Sequence, residues 1–243
     1  DELTRAGDDD LAGRAYVNHV TASAKDPALL EAAVALNSGR IAVAERQLKA
    51  YLTKHPTDVA AIRMLAELAA RIGRYKDSET LLTRALELAP DFRAARHNLA
   101  IVQLRQGKTE EPIAAAQALL QSKPGDPSYR TLYCAALVRH GDYDRAIPEY
   151  AALLGDFPNH PKNWMSYGHA LKTVGRSGDA VDAYRRSIAL KPSLGETWWS
   201  LANLKTFRFS DDDIALMHRE DAREDISDED RVHLAFALGK AFE

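Results

Sequence analysis

The chain of 243 residues contains a single cysteine, Cys134. No internal disulfide can form, and no Cys-x-x-Cys pair exists to hold zinc. No apolar run approaches the roughly 20 residues that span a bilayer, and the first 24 residues lack the basic-then-apolar pattern of a secretion signal. A sequence that starts at Asp1 still leaves room for a removed leader. An excess of positive charge is absent too: 32 Lys and Arg stand against 35 Asp and Glu, a net of -3, so nothing draws the chain as a whole to phosphate backbones. Also missing are a Gly-x-x-x-x-Gly-Lys-Ser/Thr phosphate loop, a Gly-x-Ser-x-Gly elbow and a His-Glu-x-x-His zinc pair. The eight histidines are scattered, with none paired at metal-ligand spacing. These absences predict a chain with no catalytic residue, metal or cofactor of its own, no nucleic-acid partner and no membrane insertion. They suit a reducing, cytoplasmic compartment.

What the sequence does hold is periodic. Pro56, Pro90, Pro124, Pro158 and Pro192 stand 34 residues apart, and Gly39, Gly73, Gly107, Gly141 and Gly175 precede them by 17. Two fixed breakers per period cut each unit into two helices. A period of this length marks a stacked array, in which each unit buries its apolar face against its neighbours. Setting each proline at unit position 32 gives repeats 25–58, 59–92, 93–126, 127–160 and 161–194. Residues 1–24 read as a capping helix near 9–23: Asp8, Asp9 and Asp10 suit its N-terminus, and Leu11, Ala15, Val17 and Val20 form a loose apolar stripe. Pro112, after Thr109, Glu110 and Glu111, fits the first turn of a helix, whereas Pro148 lies deeper and is expected to remove a backbone bond and bend its helix.

A sixth unit opens with Trp198, Leu201 and Ala202, and then the period fails. Ser210 with Asp213, and Ser227 with Asp230, are spaced as capping boxes. Leu234, Leu238 and Phe242 fall on one face of the last helix. Residues 195–243 therefore read as a degenerate sixth repeat and C-terminal helices leading to a domain beyond Glu243, with the last helix unpartnered and available for self-association.

In the fifth repeat, Trp164-x2-Tyr167-Gly168-x2-Leu171, then Ala180-x3-Tyr184, then Pro192 resembles the tetratricopeptide pattern Trp-x2-Leu-Gly-x2-Tyr, Ala-x3-Phe, Pro. Ala32, Ala66, Ala100 and Cys134 fill the slot of Gly168, and Leu48, Leu82 and Tyr150 that of Tyr184. Cys134 is thus read as a small packing residue and not as a reactive thiol. The resemblance implies an all-α fold, a right-handed α-solenoid of stacked helix-turn-helix units. In such a fold the first helices line a concave groove through unit positions 2, 5, 9, 12 and 13. Position 13 holds Arg71, Arg105 and Arg139, and the same face carries Arg63, His97, Lys162, His169 and Lys172. A cationic ladder of this kind would hold the carboxylates or phosphates of an extended, acidic protein segment. The competing reading is of arginines late in a helix that complement its dipole and face water, with Glu67 neutralising part of the field. Trp164 and Trp198, at position 4, are expected in the core. Trp199 and Phe207 reach groove positions and either anchor a ligand side chain or are covered by later residues. The lysine and asparagine of a chaperone-tail clamp are replaced by Leu29 and Ala33, or by Arg63 and Glu67, which argues against that partner.

Several stretches further resemble bacterial tetratricopeptide-sulfotransferase fusion proteins. They are Pro56 to Ala66, Trp164 to Lys172, Trp198 to Phe209 and Asp228 to Lys240. The resemblance implies a recruiting region that precedes a sulfotransferase domain, similar to protein-tyrosine sulfotransferases, using 3'-phosphoadenylyl sulfate. The Pro-Arg-Ser-Gly type of donor loop is absent from these 243 residues, so no catalytic residue carries over. Two readings follow. One is a non-catalytic interaction module that binds an extended acidic polypeptide. The other is the substrate-recruiting half of a sulfotransferase whose catalytic domain lies outside this sequence.

Overall fold

The computed structural model describes residues 26–204 and 207–242, so the capping helix expected near residues 9–23 lies outside the described residues. Those residues form thirteen α-helices and no strand. None of the helices is long and apolar enough to cross a membrane. The chain divides into two compact units, one ending at Asp142 and the other beginning at Tyr143. The division falls inside the span 127–160 that the sequence marks as the fourth repeat.

The first unit contains α1 (Pro27–Asn37), α2 (Ile41–Lys54), α3 (Val59–Arg71), α4 (Tyr75–Leu88), α5 (Arg93–Arg105), α6 (Glu110–Ser122) and α7 (Pro127–His140). Starts and stops follow from local chemistry. Asp26, Asp58 and Asp126 cap α1, α3 and α7 by accepting from the first free amides, with Asp58 taking the Ala61 N–H at 2.9 Å. Each first helix then ends at one of the periodic glycines, which adopt φ values between 70° and 89°. At α3 the Arg74 amide donates to the Ala69 carbonyl and the Gly73 amide to that of Ala70. This is the six-to-one and five-to-two pairing of a Schellman motif, which needs a left-handed residue at its centre. Pro112 occupies the first turn of α6, where a missing amide costs little.

Successive helices pack on one another, and α1, α3, α5 and α7 also touch in sequence. The core is a chain of small clusters. Leu29, Leu36, Ala44, Leu48, Met64 and Leu68 join the first pair to α3. Ile62, Ala66, Leu82, Ala95 and Val102 continue the core to α5, and Ala100, Ala116, Leu119 and Leu132 to α7. Burial is therefore shared between neighbours, with no single centre.

The second unit contains α8 (Tyr143–Asp156), α9 (Pro161–Thr173), α10 (Ser177–Leu190), α11 (Gly195–Ala202), α12 (Asp211–Asp221) and α13 (Asp228–Ala241). Pro148 lies inside α8, which nevertheless runs on to Asp156. The lost amide removes the helical donor to the Asp144 carbonyl. Gly168 on α9 packs so closely on α10 that an added Cβ would lie 2.6 Å from the Tyr184 ring.

The last helix is not unpartnered. Helix α13 packs against α11 and α12, and Leu234, Ala237 and Leu238 join Trp198, Leu201 and Met217 in one core. The approach is close enough that a Cβ on Gly195 would come within 2.1 Å of the Asp230 carbonyl oxygen, and the Gly195 amide donates to the Asp230 carboxylate at 2.9 Å. Residues 228–241 thus pack where the second helix of a sixth pair would, and α12 is inserted between the partners. Of the expected apolar face, Leu234 and Leu238 are buried within the chain's own core, and Phe242 remains exposed together with Val232 and Phe236. Self-association through Leu234 and Leu238 is thereby excluded.

The insertion is pinned by charge. Arg185 of α10 grips Asp213 through both guanidinium nitrogens, the second at 2.8 Å, and lies 5.0 Å over the Phe207 ring. Ser210 and Asp213 form the expected reciprocal capping box. At Ser227 the box is incomplete: Asp230 takes the Ser227 hydroxyl and the Gly195 amide in place of the Ser227 amide.

Candidate functional site

In the first unit, α3, α5 and the start of α7 wall a cleft of about 970 Å³. Helical spacing explains its composition. Arg63, Glu67 and Arg71 follow at intervals of four on α3 and share a face, as do His97, Ile101 and Arg105 on α5. The two trios occupy equivalent unit positions, 34 residues apart. They differ at the centre, where Glu67 is replaced by Ile101.

That difference decides the electrostatics. Glu67 accepts from Arg71 at 2.8 Å and lies 3.5 Å from Arg63. Arg63 is 3% exposed, so burial works against its charge and Glu67 acts to restore it. The second arm of Arg71 donates to the Leu36 carbonyl at 2.8 Å, closing the C-terminal end of α1. Both α3 arginines are therefore held within the fold. Arg105 has Ile101 in place of a carboxylate on its own helix, lines the same cleft and is exposed. Among the described residues no hydrogen bond or ion pair engages it.

Neutral groups complete the wall. Burial lowers the pKa of the His97 imidazole, which the Ser128 backbone and the Asn98 side chain only partly oppose, so it is uncharged near neutral pH. Its ring is tilted against Tyr129, with centroids 5.6 Å apart. Tyr129 is pushed up by burial, with the nearby Asp126 charge adding to the effect. Asp126 is itself occupied, capping α7 and pairing with Lys123 at 3.0 Å. The cleft thus offers one unengaged guanidinium beside an apolar residue and hydrogen-bonding neighbours.

The remaining sequence-predicted residues lie elsewhere. Arg139 is exposed in the first unit beside the Gly107 turn and does not line the cleft. Lys162, His169, Lys172 and Trp199 belong to the second unit. There Lys162 is exposed, Lys172 is half-buried, and His169 shares a hydrogen bond with Ser200 at 2.9 Å, its pKa lowered by burial. Trp199 stacks on Phe236 at 5.4 Å, so its cover comes from α13. Trp198 is fully buried, as expected, whereas Trp164 is only half-buried. Phe207 packs against the second-unit core. The sequence reading passed over Asn98, Asp126 and Tyr129 as cleft residues. Asn98 was findable as the neighbour of His97 on α5, whereas Asp126 and Tyr129 enter from the start of the next repeat and carry no periodic signal. Among the described residues no group of three or more His, Cys, Asp or Glu side chains is arranged to hold a metal ion.

Comparison with known proteins gives the same repeat. The tetratricopeptide repeat family matches residues 29–91, 63–127 and 136–194. No curated protein sequence matches the chain. Among solved structures, MamA residues 41 to the end from Desulfovibrio magneticus RS-1 is 17% identical, covers 68% of this chain and 94% of its own, and superposes with a TM-score of 0.60. MamA AMB-1 is 21% identical over 67% of this chain and 96% of its own, with a TM-score of 0.58. YrrB, described as a TPR protein with an unusual peptide-binding site, is 15% identical over 74% of this chain and 93% of its own, with a TM-score of 0.55. At these identities the likeness is one of fold.

Proposed function

Because this chain belongs to the tetratricopeptide repeat family, we propose that it is a protein-interaction module whose first-unit cleft receives an extended, acidic stretch of a partner polypeptide. The observation that carries this reading is Arg105, a cleft guanidinium with no partner among the described residues, one repeat on from an arginine already neutralised by Glu67. A carboxylate side chain entering the cleft finds in Arg105 a planar, bidentate donor. Arg63 and Arg71 contribute a positive background that Glu67 reduces, and Asn98 and Tyr129 supply neutral hydrogen-bonding groups to the ligand backbone. A YrrB-like use of the repeat surface for peptides is in keeping with this.

The test is a nuclear magnetic resonance titration of the chain with a Glu-rich peptide and its Gln-rich counterpart. The reading expects amide shifts centred on Arg63, His97, Asn98, Arg105 and Tyr129 with the Glu peptide alone. Equal shifts with both peptides, or shifts centred outside the first unit, contradict it.

A further inference from the structure

The second unit carries the chemistry that the cleft of the first unit selects. Ten of the twenty residues from 211 to 230 are Asp or Glu, against two arginines. Some of this charge is engaged locally. Asp213 is held by Arg185, Glu220 and Asp225 by Arg223 at 3.1 and 2.8 Å, and Asp230 by Ser227 and the Gly195 amide. Asp221 lies 3.8 Å from Arg231. Asp211, Asp212, Glu224, Asp228 and Glu229 are exposed and, among the described residues, have no hydrogen-bond or ion-pair partner. Glu224, Asp228 and Glu229 are close in sequence, on the connection 222–227 and the first turn of α13.

One unit therefore presents an unengaged cation in a cleft, and the other an exposed group of unengaged carboxylates. We propose that the occupant of the cleft is this acidic connection from a second copy of the chain, with Glu224, Asp228 and Glu229 of one copy meeting Arg105 of the next. The proposal rests on the reading of the cleft as an acceptor of acidic chain, and adds the identity of the partner. The two faces are different surfaces, so the contact is heterologous. Each copy keeps one cleft and one acidic edge free, and association continues head to tail until a ring closes or a filament grows. Exposed charges of this kind act mainly by steering encounter and are screened within about 10 Å at 0.1 M salt, so the assembly weakens as salt rises.

Sedimentation velocity of the full 243-residue chain tests it, at about 0.05 M and then about 0.5 M sodium chloride, on either side of that screening range. The proposal expects mass to grow with protein concentration at low salt and to fall at high salt. Arg105→Gln, and separately the triple variant Glu224→Gln, Asp228→Asn, Glu229→Gln, should each remain single copies, with helical circular dichroism unchanged. Mixed together, the two variants have one working cleft and one working edge between them, and should form pairs and nothing larger. Growth that persists in the triple variant, or a mixture that stays unpaired, overturns the proposal. A wild-type chain that stays single at low salt yet binds a synthetic acidic peptide through Arg105 also overturns it, leaving the cleft reading intact. Loss of peptide binding as well overturns both.

Discussion

The indole N–H of Trp198 donates to the Pro192 carbonyl at 2.8 Å, and six residues also separate Trp164 from the Pro158 carbonyl that it bonds at 2.7 Å. Arg96 makes the same connection to Pro90 at 2.7 Å. Position 4 of the repeat thus closes each inter-repeat turn with a long side-chain donor, whether indole or guanidinium. Trp198→Phe keeps the ring and removes the donor, leaving the Pro192 carbonyl unpaired. Urea unfolding should register a loss of about 1–3 kcal/mol. Trp164→Phe, at a half-buried site, should lose less. Equal stability of Trp198→Phe and wild type contradicts the role.

Gly168 and Tyr184 are complementary in volume, since any side chain at 168 strikes the ring. Gly168→Ala is expected to destabilise by about 1–3 kcal/mol through overpacking. Other repeats place Ala32 with Leu48 and Ala66 with Leu82 at these positions, so Tyr184→Leu in the Gly168→Ala background should recover much of the loss. A double-mutant cycle that shows simple additivity counts against the pairing.

The Arg185 and Asp213 clasp makes the second unit sensitive to acid. Burial of the Asp213 carboxyl opposes ionisation, but hydrogen bonds from Arg185 and Ser210 outweigh it and hold the pKa below its ordinary value. The unfolded chain then binds more protons than the folded one as pH falls. The stabilisation is present above the unfolded value of about 3.9 and is lost as pH drops through the lower folded value. Urea titrations of wild type and Asp213→Asn should differ most near neutral pH and converge in strong acid. A difference that is constant with pH contradicts the assignment.

Cys134 is completely buried at the position that Ala32, Ala66 and Ala100 hold in other repeats. Cys134→Ala should change stability by less than about 1.5 kcal/mol, as a near-isosteric core exchange does. The native thiol should react with a disulfide reagent only at the rate of opening. Rapid modification of the folded chain contradicts a purely packing role.

The helical array was legible because its breakers are periodic and chemically compelled. A left-handed residue is needed where Gly73 closes α3, and a small one where Gly168 meets Tyr184. The end of the array was not, because the pairing of α11 with α13 spans an inserted helix. Its signature, Gly195 against Asp230, exists only once the chain has folded. The stretch from Trp198 to Phe209 that suggested a sulfotransferase fusion contains much of this packing: Trp198, Leu201, Leu204, Phe207 and Phe209 all join the second-unit core. At the cleft, the 34-residue register placed Arg63, Arg71, His97 and Arg105 on one wall but made the arginines look equivalent. Only the hydrogen bonds separate Arg71, held by Glu67 and Leu36, from Arg105.

The central claim is that Arg105 is the cleft's working cation, and the affinity of a Glu-rich ten-residue peptide for three chains measures it most directly. Calorimetric titration of wild type, Arg105→Glu and Arg139→Glu at low salt should give binding that falls roughly tenfold or more for Arg105→Glu, as reversal of a paired charge does. Arg139→Glu, which alters an arginine outside the cleft, should bind within about twofold of wild type once general screening is matched. Equal losses in the two variants, or none in either, contradict the account.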